Sequence, residues 1–334
     1  MKKRSKIIVG ILAVVVVAIV ATIVVKNNNG QEVGGQASTQ ERTVVINYNP
    51  DNYASAVFQI AKEENLMEKY LPENVKVEWT TIASASDIRD AMVAGEIDIG
   101  TPGIMAYMTA IDEGAPLTLM SFYGYATVMA YTNQDNINSL ADFQAGDQIS
   151  ISGLASNPQA AYLAALKEEG LDVQKYNQML VKIPNTEAIA MLEGRNQIKG
   201  SILSFSANLK ADALKDQGVK KIRDFSDVIE KYSIGTALIA NTDFYNNNPD
   251  ICEAIRKVQN EVIENWDKDM EKNAEILANQ YDCEVKDVID LMEKQPPTDK
   301  LTGYNDLAQL LYEVDMLSKP LKLEDLPNYD SIPR

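Results

Sequence analysis

The sequence predicts an α/β protein of two lobes joined by two crossover strands, with a helical C-terminus. Three observations carry this. Short apolar runs alternate with amphipathic stretches from Thr43 to Asp224, the order expected of mostly parallel sheets. Two further extended segments, Ala126–Thr132 and Ile234–Ala240, bracket the middle series, as in a chain that leaves one α/β lobe and later returns to it. Beyond Pro249 the apolar residues recur at helical spacing only.

In the first series, Thr43–Tyr48 reads as a strand and Tyr53–Met67 as a helix with Val57, Ile60 and Ala61 on one face. Val75–Ile82 is the second strand, and Ser86–Ala94 a helix with Ser86 as N-cap. The stretch Asp90–Met120 follows, DAMVAGEIDIGTPGIMAYMTAIDEGAPLTLM. Ile97-Asp98-Ile99 is short enough for a buried strand, Gly100-Thr101-Pro102-Gly103 breaks it, and a helix over Ile104–Glu113 begins with free backbone N–H groups aimed into that loop. A loop at the carboxyl end of a parallel strand, opening on a helix N-terminus, is where open α/β sheets bind small ligands. A strand near Leu117–Phe122 closes the series.

The middle series reads as strand Gln148–Ser152, helix Pro158–Glu169, strand Met179–Ile183, helix Thr186–Glu193, strand Gly200–Leu203, helix Ala207–Asp216 and strand Val219–Asp224. A long helix over Pro249–Leu277 places Ile251, Ala254, Ile255, Val258, Val262 and Trp266 on one core-facing stripe. No internal repeat is visible. The organisation is therefore 1–26 signal peptide or transmembrane anchor, 27–42 flexible linker, 43–127 plus 236–334 the discontinuous first lobe, and 128–235 the second.

The N-terminus indicates the compartment. Lys2, Lys3, Arg4 and Lys6 precede the uncharged apolar run Ile7–Val25, long enough to span a bilayer core of about 30 Å. The basic flank keeps the N-terminus inside and exports the remainder. An uncleaved anchor and a signal cleaved near Ile19-Val20-Ala21 both fit, and no cysteine follows the run to accept a lipid. Residues 27–42 are polar and rich in Gly, Asn and Gln, as a tether is.

Composition excludes several functions. The net charge of −17 argues against nucleic acid as a partner. The absence of histidine removes Ser–His–Asp and Cys–His catalysis and the commonest zinc ligand. Two cysteines, Cys252 and Cys283, cannot hold a metal cluster. In an exported chain they either form one disulfide across the C-terminal helices or serve as two small buried hydrophobes. No metal, cofactor or catalytic residue is expected.

The segments AGEIDIG and EGAPL, then INSLADFQAGDQISI, then SGLASNPQAAYLAALKEEGLD, resemble in order and spacing the substrate-binding proteins of nitrate/taurine/sulfonate-type ABC transporters. The similarity runs from about Thr43 to at least Pro320. AMLEGRNQIKGSILSF departs from the family pattern by a longer turn and a missing Asp-Ala pair. The resemblance implies a type II periplasmic-binding-protein-like fold and a solute captured between two lobes. It further implies delivery to a membrane ABC permease on the extracytoplasmic face of the membrane, by a monomer without chemistry of its own.

Closure on a solute needs loops at strand carboxyl ends from both lobes. The first lobe supplies Tyr48 and Asn49, Tyr53, Thr101 and Gly103, and Tyr123 and Gly124 beside Tyr125. The second supplies Ser152 and Gly153, Ser156 and Asn157 ahead of Pro158, and Ser204 and Phe205. Each has a plain alternative. Tyr48 and Tyr53 suit a sheet edge, Ser156 and Asn157 suit an ordinary helix cap, and Met105 and Met108 suit a core. Glu96 and Asp98 read as one exposed and one structural acid. These loops carry no Lys or Arg, so an anion would rely on helix N-termini, and an aromatic, neutral or zwitterionic ligand fits at least as well. An enzyme on the same scaffold and a membrane-tethered sensor are the competing functions. The pyrimidine-forming relatives use histidine and the menaquinone-pathway relatives are cytoplasmic.

Overall fold

The computed structural model describes residues 40–333 apart from 49–52, 83–84 and 195–197, and apart from the side chains of 54, 85, 86, 205 and 206. The expected anchor or signal over 1–26, and the linker as far as residue 39, lie outside the described residues. No helix among the described residues is long and apolar enough to cross a membrane.

In chain order the strands are β1 (Arg42–Asn47), β2 (Val75–Thr80), β3 (Ile99–Gly100), β4 (Leu117–Tyr125), β5 (Val128–Thr132), β6 (Ile149–Ile151), β7 (Leu180–Lys182), β8 (Gly200–Ser204), β9 (Lys220–Asp224) and β10 (Gly235–Asn241). Helices α1 (Ala56–Glu63), α2 (Leu66–Tyr70), α3 (Ala85–Val93) and α4 (Ile104–Asp112) accompany the first four strands. Helices α5 (Asn157–Glu168), α6 (Val173–Asn177), α7 (Asn185–Glu193), α8 (Phe205–Asp212) and α9 (Ser226–Lys231) accompany the middle series. The C-terminal helices are α10 (Thr242–Asn247), α11 (Pro249–Glu264), α12 (Met270–Tyr281), α13 (Val285–Lys294) and α14 (Tyr304–Glu313).

Two five-stranded sheets result, ordered β2-β1-β3-β10-β4 and β7-β6-β8-β5-β9. They have one topology built twice, a repeat invisible in the sequence. Each sheet has three adjacent parallel strands, then one antiparallel strand, β10 or β5. The expectation of mostly parallel sheets holds except at these two strands. Parallel pairing needs a return crossover over the same sheet. β5 instead follows β4 after Ala126-Thr127 and passes directly from one sheet to the other.

Two predicted helices are divided. The helix expected over Tyr53–Met67 starts as a tight turn at Tyr53–Ser55 and stops at Glu64. Asn65 takes a left-handed conformation, φ 53°, before α2, a geometry Asn tolerates better than most residues. The helix expected over Pro249–Leu277 ends at Glu264, where the Asn265 side chain donates to the Glu261 carbonyl at 2.9 Å. Trp266 then turns into the core and donates its indole N–H to the Met292 carbonyl at 3.4 Å. Ser86 lies inside the first turn of α3, not ahead of it.

The core around the first sheet joins Val44, Ile46 and Phe58 to the predicted stripe Ile251, Ile255, Val258 and Trp266. A second apolar cluster is shared by α4, α5 and α14, through Met105, Met108, Tyr162, Tyr304 and Leu307. Met105 and Met108 are thus core residues, as their helical spacing suggests. The C-terminal segment ties these elements together. Lys167 pairs with Glu313 at 2.7 Å, the Ser318 N–H donates to Asp112 at 2.6 Å, and Asn328 donates to the Leu119 carbonyl at 2.6 Å.

Candidate functional site

Among the described residues, most of the side chains with a buried unpartnered polar atom lie at the ends of the parallel strands or on the helices that follow them. β1 ends at Asn47, fully buried, whose Nδ2 donates to the Thr80 carbonyl of the neighbouring strand at 3.3 Å. Its Oδ1 has no partner among the described residues. Tyr48 follows, buried edge-on against Trp79 with ring centroids 5.5 Å apart and the Lys62 ammonium 5.8 Å from its own. Thr101, at the end of β3, lies with its hydroxyl 3.5 Å from that of Ser55. Gly103 is the N-cap of α4.

From the second sheet, β6 leads into the loop 152–156. Ser156 donates its hydroxyl to the Gly153 carbonyl at 2.7 Å, and Gln159 Oε1 accepts from the Ala155 N–H at 2.7 Å. Ala155 adopts φ 50° to make this turn, at a cost of roughly 1–2 kcal/mol. Asn157 opens α5 with Pro158 behind it in the first turn. Its Nδ2 donates to the Gly235 carbonyl at 2.7 Å, while its Oδ1 has no partner among the described residues. A Cβ on Gly103 would lie 2.6 Å from that Oδ1. The N-termini of α4 and α5, each a partial positive charge, therefore meet at Gly103 and Asn157.

Two more asparagines share this character. Among the described residues, Asn185, at the start of α7, has an unpartnered Oδ1, and Asn208, on α8 and 3% exposed, leaves both Oδ1 and Nδ2 unpartnered. Leu209 beside it packs against the core of the first sheet. Buried amides ordinarily satisfy their hydrogen bonds, and each unmade one costs about 1–3 kcal/mol.

The crossover segments bond to one another. The Ala126 N–H donates to the Ile234 carbonyl at 3.0 Å. Thr127 donates to the side chain of Gln295, whose backbone carbonyl accepts from the Tyr53 hydroxyl at 2.9 Å. Tyr123 is buried against Phe58 with ring centroids 4.9 Å apart, and burial pushes its hydroxyl well above the usual tyrosine range. Gly124, at φ 148°, packs beside Pro297. Tyr53, Tyr123 and Gly124 together line a cavity of about 10 Å3 with Trp266, space for about one water. A groove of about 410 Å3 on the outer edge of the first sheet, between α1, α2 and β2, is lined by none of the predicted site residues.

The structure thus brings Thr101, Gly103 and Asn157 to one junction, and Tyr53, Tyr123 and Gly124 to the crossover. Ser152 and Gly153 sit half-buried in the loop before α5, and Ser204 half-buried at the N-cap of α8 without a side-chain cap bond. Phe205 is the first residue of α8, its side chain outside the description. Asn49 lies outside the described residues. Asn47, Asn185 and Asn208 are absent from the sequence-based set. Asn47 ends a strand next to the chosen Tyr48, and Asn185 follows Pro184 at a helix start, signals of the same kind as those used elsewhere. Asn208, one turn into a helix, carries no such signal.

Acid–base groups are not concentrated here. Asp98 accepts from the Val45 N–H at 2.8 Å, a structural tie, and burial raises its carboxyl above the ordinary value. Cys252 and Cys283 are both free thiols. Among the described residues no cluster of three acidic or cysteine side chains could hold a metal ion.

A family model described as NMT1/THI5 like matches residues 68–265, more than half of the chain. No curated protein sequence matches. Among solved structures, the periplasmic aliphatic sulphonate binding protein SsuA from Escherichia coli is 18% identical, with 88% of this chain and 92% of that one covered and a TM-score of 0.66. The alkanesulfonate-binding protein SsuA from Xanthomonas axonopodis pv. citri, bound to MOPS, is 16% identical over 84% of this chain and 96% of that one, TM-score 0.67. The ligand binding component of an ABC-type import system from Staphylococcus aureus is 16% identical over 88% and 97%, TM-score 0.67. At such identities the likeness is one of fold. The chain belongs to the NMT1/THI5-like family and has the two-sheet α/β fold of periplasmic binding proteins, in agreement with the family resemblance of its sequence.

Proposed function

We propose that this chain is the extracytoplasmic solute-binding protein of an ABC importer, a monomer that closes two lobes over a small molecule and delivers it to a membrane permease. The lobes are 43–127 with 236–334, and 128–235. The observation that carries the reading is the set of buried amide atoms without a partner among the described residues, on segments that end or follow the parallel strands of both sheets: Asn47 on one side and Asn157, the half-buried Asn185 and Asn208 on the other. Such groups are retained where a ligand completes them. The candidate contacts are these with Thr101, Gly103, Ser152, Gly153, Ser204 and the N-termini of α4 and α5. The two crossovers, bonded at Ala126 and Ile234, provide the hinge. The three structural neighbours are named as binding proteins or an import component, which supports the role. The basic N-terminal flank and apolar run support the location.

The chain performs no reaction in this scheme. It lacks histidine, and its half-buried acid, Asp98, is occupied by a backbone N–H. The test is a broad solute screen by thermal shift, followed by small-angle scattering with each hit. Binding at 100 times Kd stabilises the native state by about 2.7 kcal/mol, and closure lowers the radius of gyration. A screen without stabilising solutes defeats the proposal. Adjacent permease and ATPase genes would support import over sensing.

A further inference from the structure

The hydrogen-bonding polarity of the junction points to a class of ligand. This rests on the solute-binding reading and sharpens it. Asn47 and Asn157 both direct Nδ2 at a backbone carbonyl, Thr80 at 3.3 Å and Gly235 at 2.7 Å. A carbonyl accepts and never donates, so these partners fix which end of each amide is oxygen, an assignment otherwise open to a flip. The atoms left over are therefore acceptors, on side chains at least nine-tenths buried. Asn157 Oδ1 lies against Gly103, the N-cap of α4, which places an acceptor at the start of that helix.

We infer that the solute presents N–H or O–H donors to Asn47 Oδ1 and Asn157 Oδ1, and that it is an uncharged molecule of carboxamide, urea or amino-heterocycle type. A sulfonate or nitrate finds no donor at these two oxygens. Its oxygens would face amide lone pairs, and no hydrogen bond or ion pair brings a lysine or arginine to Asn47 or Asn157 among the described residues. The net charge of −17 further disfavours anion capture. A ligand with both donors and acceptors satisfies the amide oxygens and the α4 N–H groups together.

The experiment uses isosteric pairs that differ in donor capacity within the same broad solute panel: urea and nitrate, nicotinamide and nicotinate, benzenesulfonamide and benzenesulfonate. Binding is read by thermal shift and titration calorimetry on the full exported domain. The expected result is that every stabilising solute carries an N–H or O–H donor, and that the amide of any responding pair binds at least about ten-fold tighter than its acid. Asn157→Leu should then weaken the best binder by about three- to ten-fold, as should Asn47→Leu, the second variant guarding against a folding defect in the first. Tighter binding of the acids overturns the inference and leaves the solute-binding reading intact. Unchanged affinity in two folded variants also overturns it. Silence across the whole panel removes both.

Discussion

Replacing Gly235 by alanine tests how closely the crossovers pack. Gly235 opens β10 and pairs with Tyr125 of β4. A Cβ there would overlap the Gly124 carbonyl oxygen, with Phe122 Cζ at 2.5 Å and the Gly124 carbonyl carbon at 2.9 Å. Ordinary contacts of a carbon are about 3.5–4.0 Å, so the overlap with the Gly124 carbonyl oxygen requires the two strands to part by more than about 1 Å. Because the obstacle is backbone, the strain falls at the upper end of overpacking costs, about 3 kcal/mol. The shift also disturbs the bond from Asn157 to the Gly235 carbonyl, worth about 1 kcal/mol. A total of about 4 kcal/mol corresponds to roughly 8–16 °C in Tm for a domain of this size class. Urea unfolding followed by tryptophan fluorescence measures it. Gly153→Ala is the control: nothing lies within 4 Å of its Cβ, and its stability should change by less than about 0.5 kcal/mol. A Gly235→Ala protein within 1 kcal/mol of the parent would refute the packing argument.

Other expectations are independent of this one. Gln259 is fully buried, accepting from the Ser121 hydroxyl and donating to the Phe122 carbonyl, each at 2.6 Å; Gln259→Leu leaves both unpaired and should cost about 2 kcal/mol in urea unfolding. Burial raises the Asp98 carboxyl above its ordinary value of 3.8, so the folded state holds that proton more tightly than the unfolded state. The parent therefore loses stability as pH rises from 3.8 through the raised value. Asp98→Asn should compare more favourably with the parent at pH 7 than at pH 3, and an unchanged or reversed difference counts against the assignment. Burial pushes the Cys252 thiol up to about 12, and Cys283 is raised less far. A thiol reagent should thus label Cys283 first in the native protein and Cys252 only on unfolding. Two thiols that titrate only after reduction would instead establish the disulfide.

Much of the architecture follows from local pattern. Val44 and Ile46, two residues apart, face the same side of the first sheet, Ile97-Asp98-Ile99 leads into the short buried strand, and the stripe from Ile251 to Trp266 faces the core, because burial selects apolar residues at the period of each element. The helix breaks at Asn65 and Asn265 were not readable. Continuous apolar spacing outweighs a single asparagine in a sequence pattern, whereas in the fold Trp266 and the Glu261 carbonyl decide the turn. The candidate site was partly readable: Thr101, Gly103 and Asn157 come from loop and cap signals, and the structure brings them to one junction. Tyr53 and Tyr123 were chosen by the same logic, but their environment is the crossover cavity.

By itself the sequence determined the α/β class, the order of strands and helices, the two crossover segments, the acidic balance and the absence of histidine. These are properties of composition and of neighbours within a few residues. Only the tertiary structure decided that the crossover strands run antiparallel, that the first residues of α4 and α5 meet, and that Asn47 and Asn157 each leave an oxygen without a donor among the described residues. Whether a polar atom is satisfied depends on residues such as Thr80 and Gly235, 33 and 78 positions away. That distance along the chain is beyond the reach of any local pattern, and the packing of two sheets closes it.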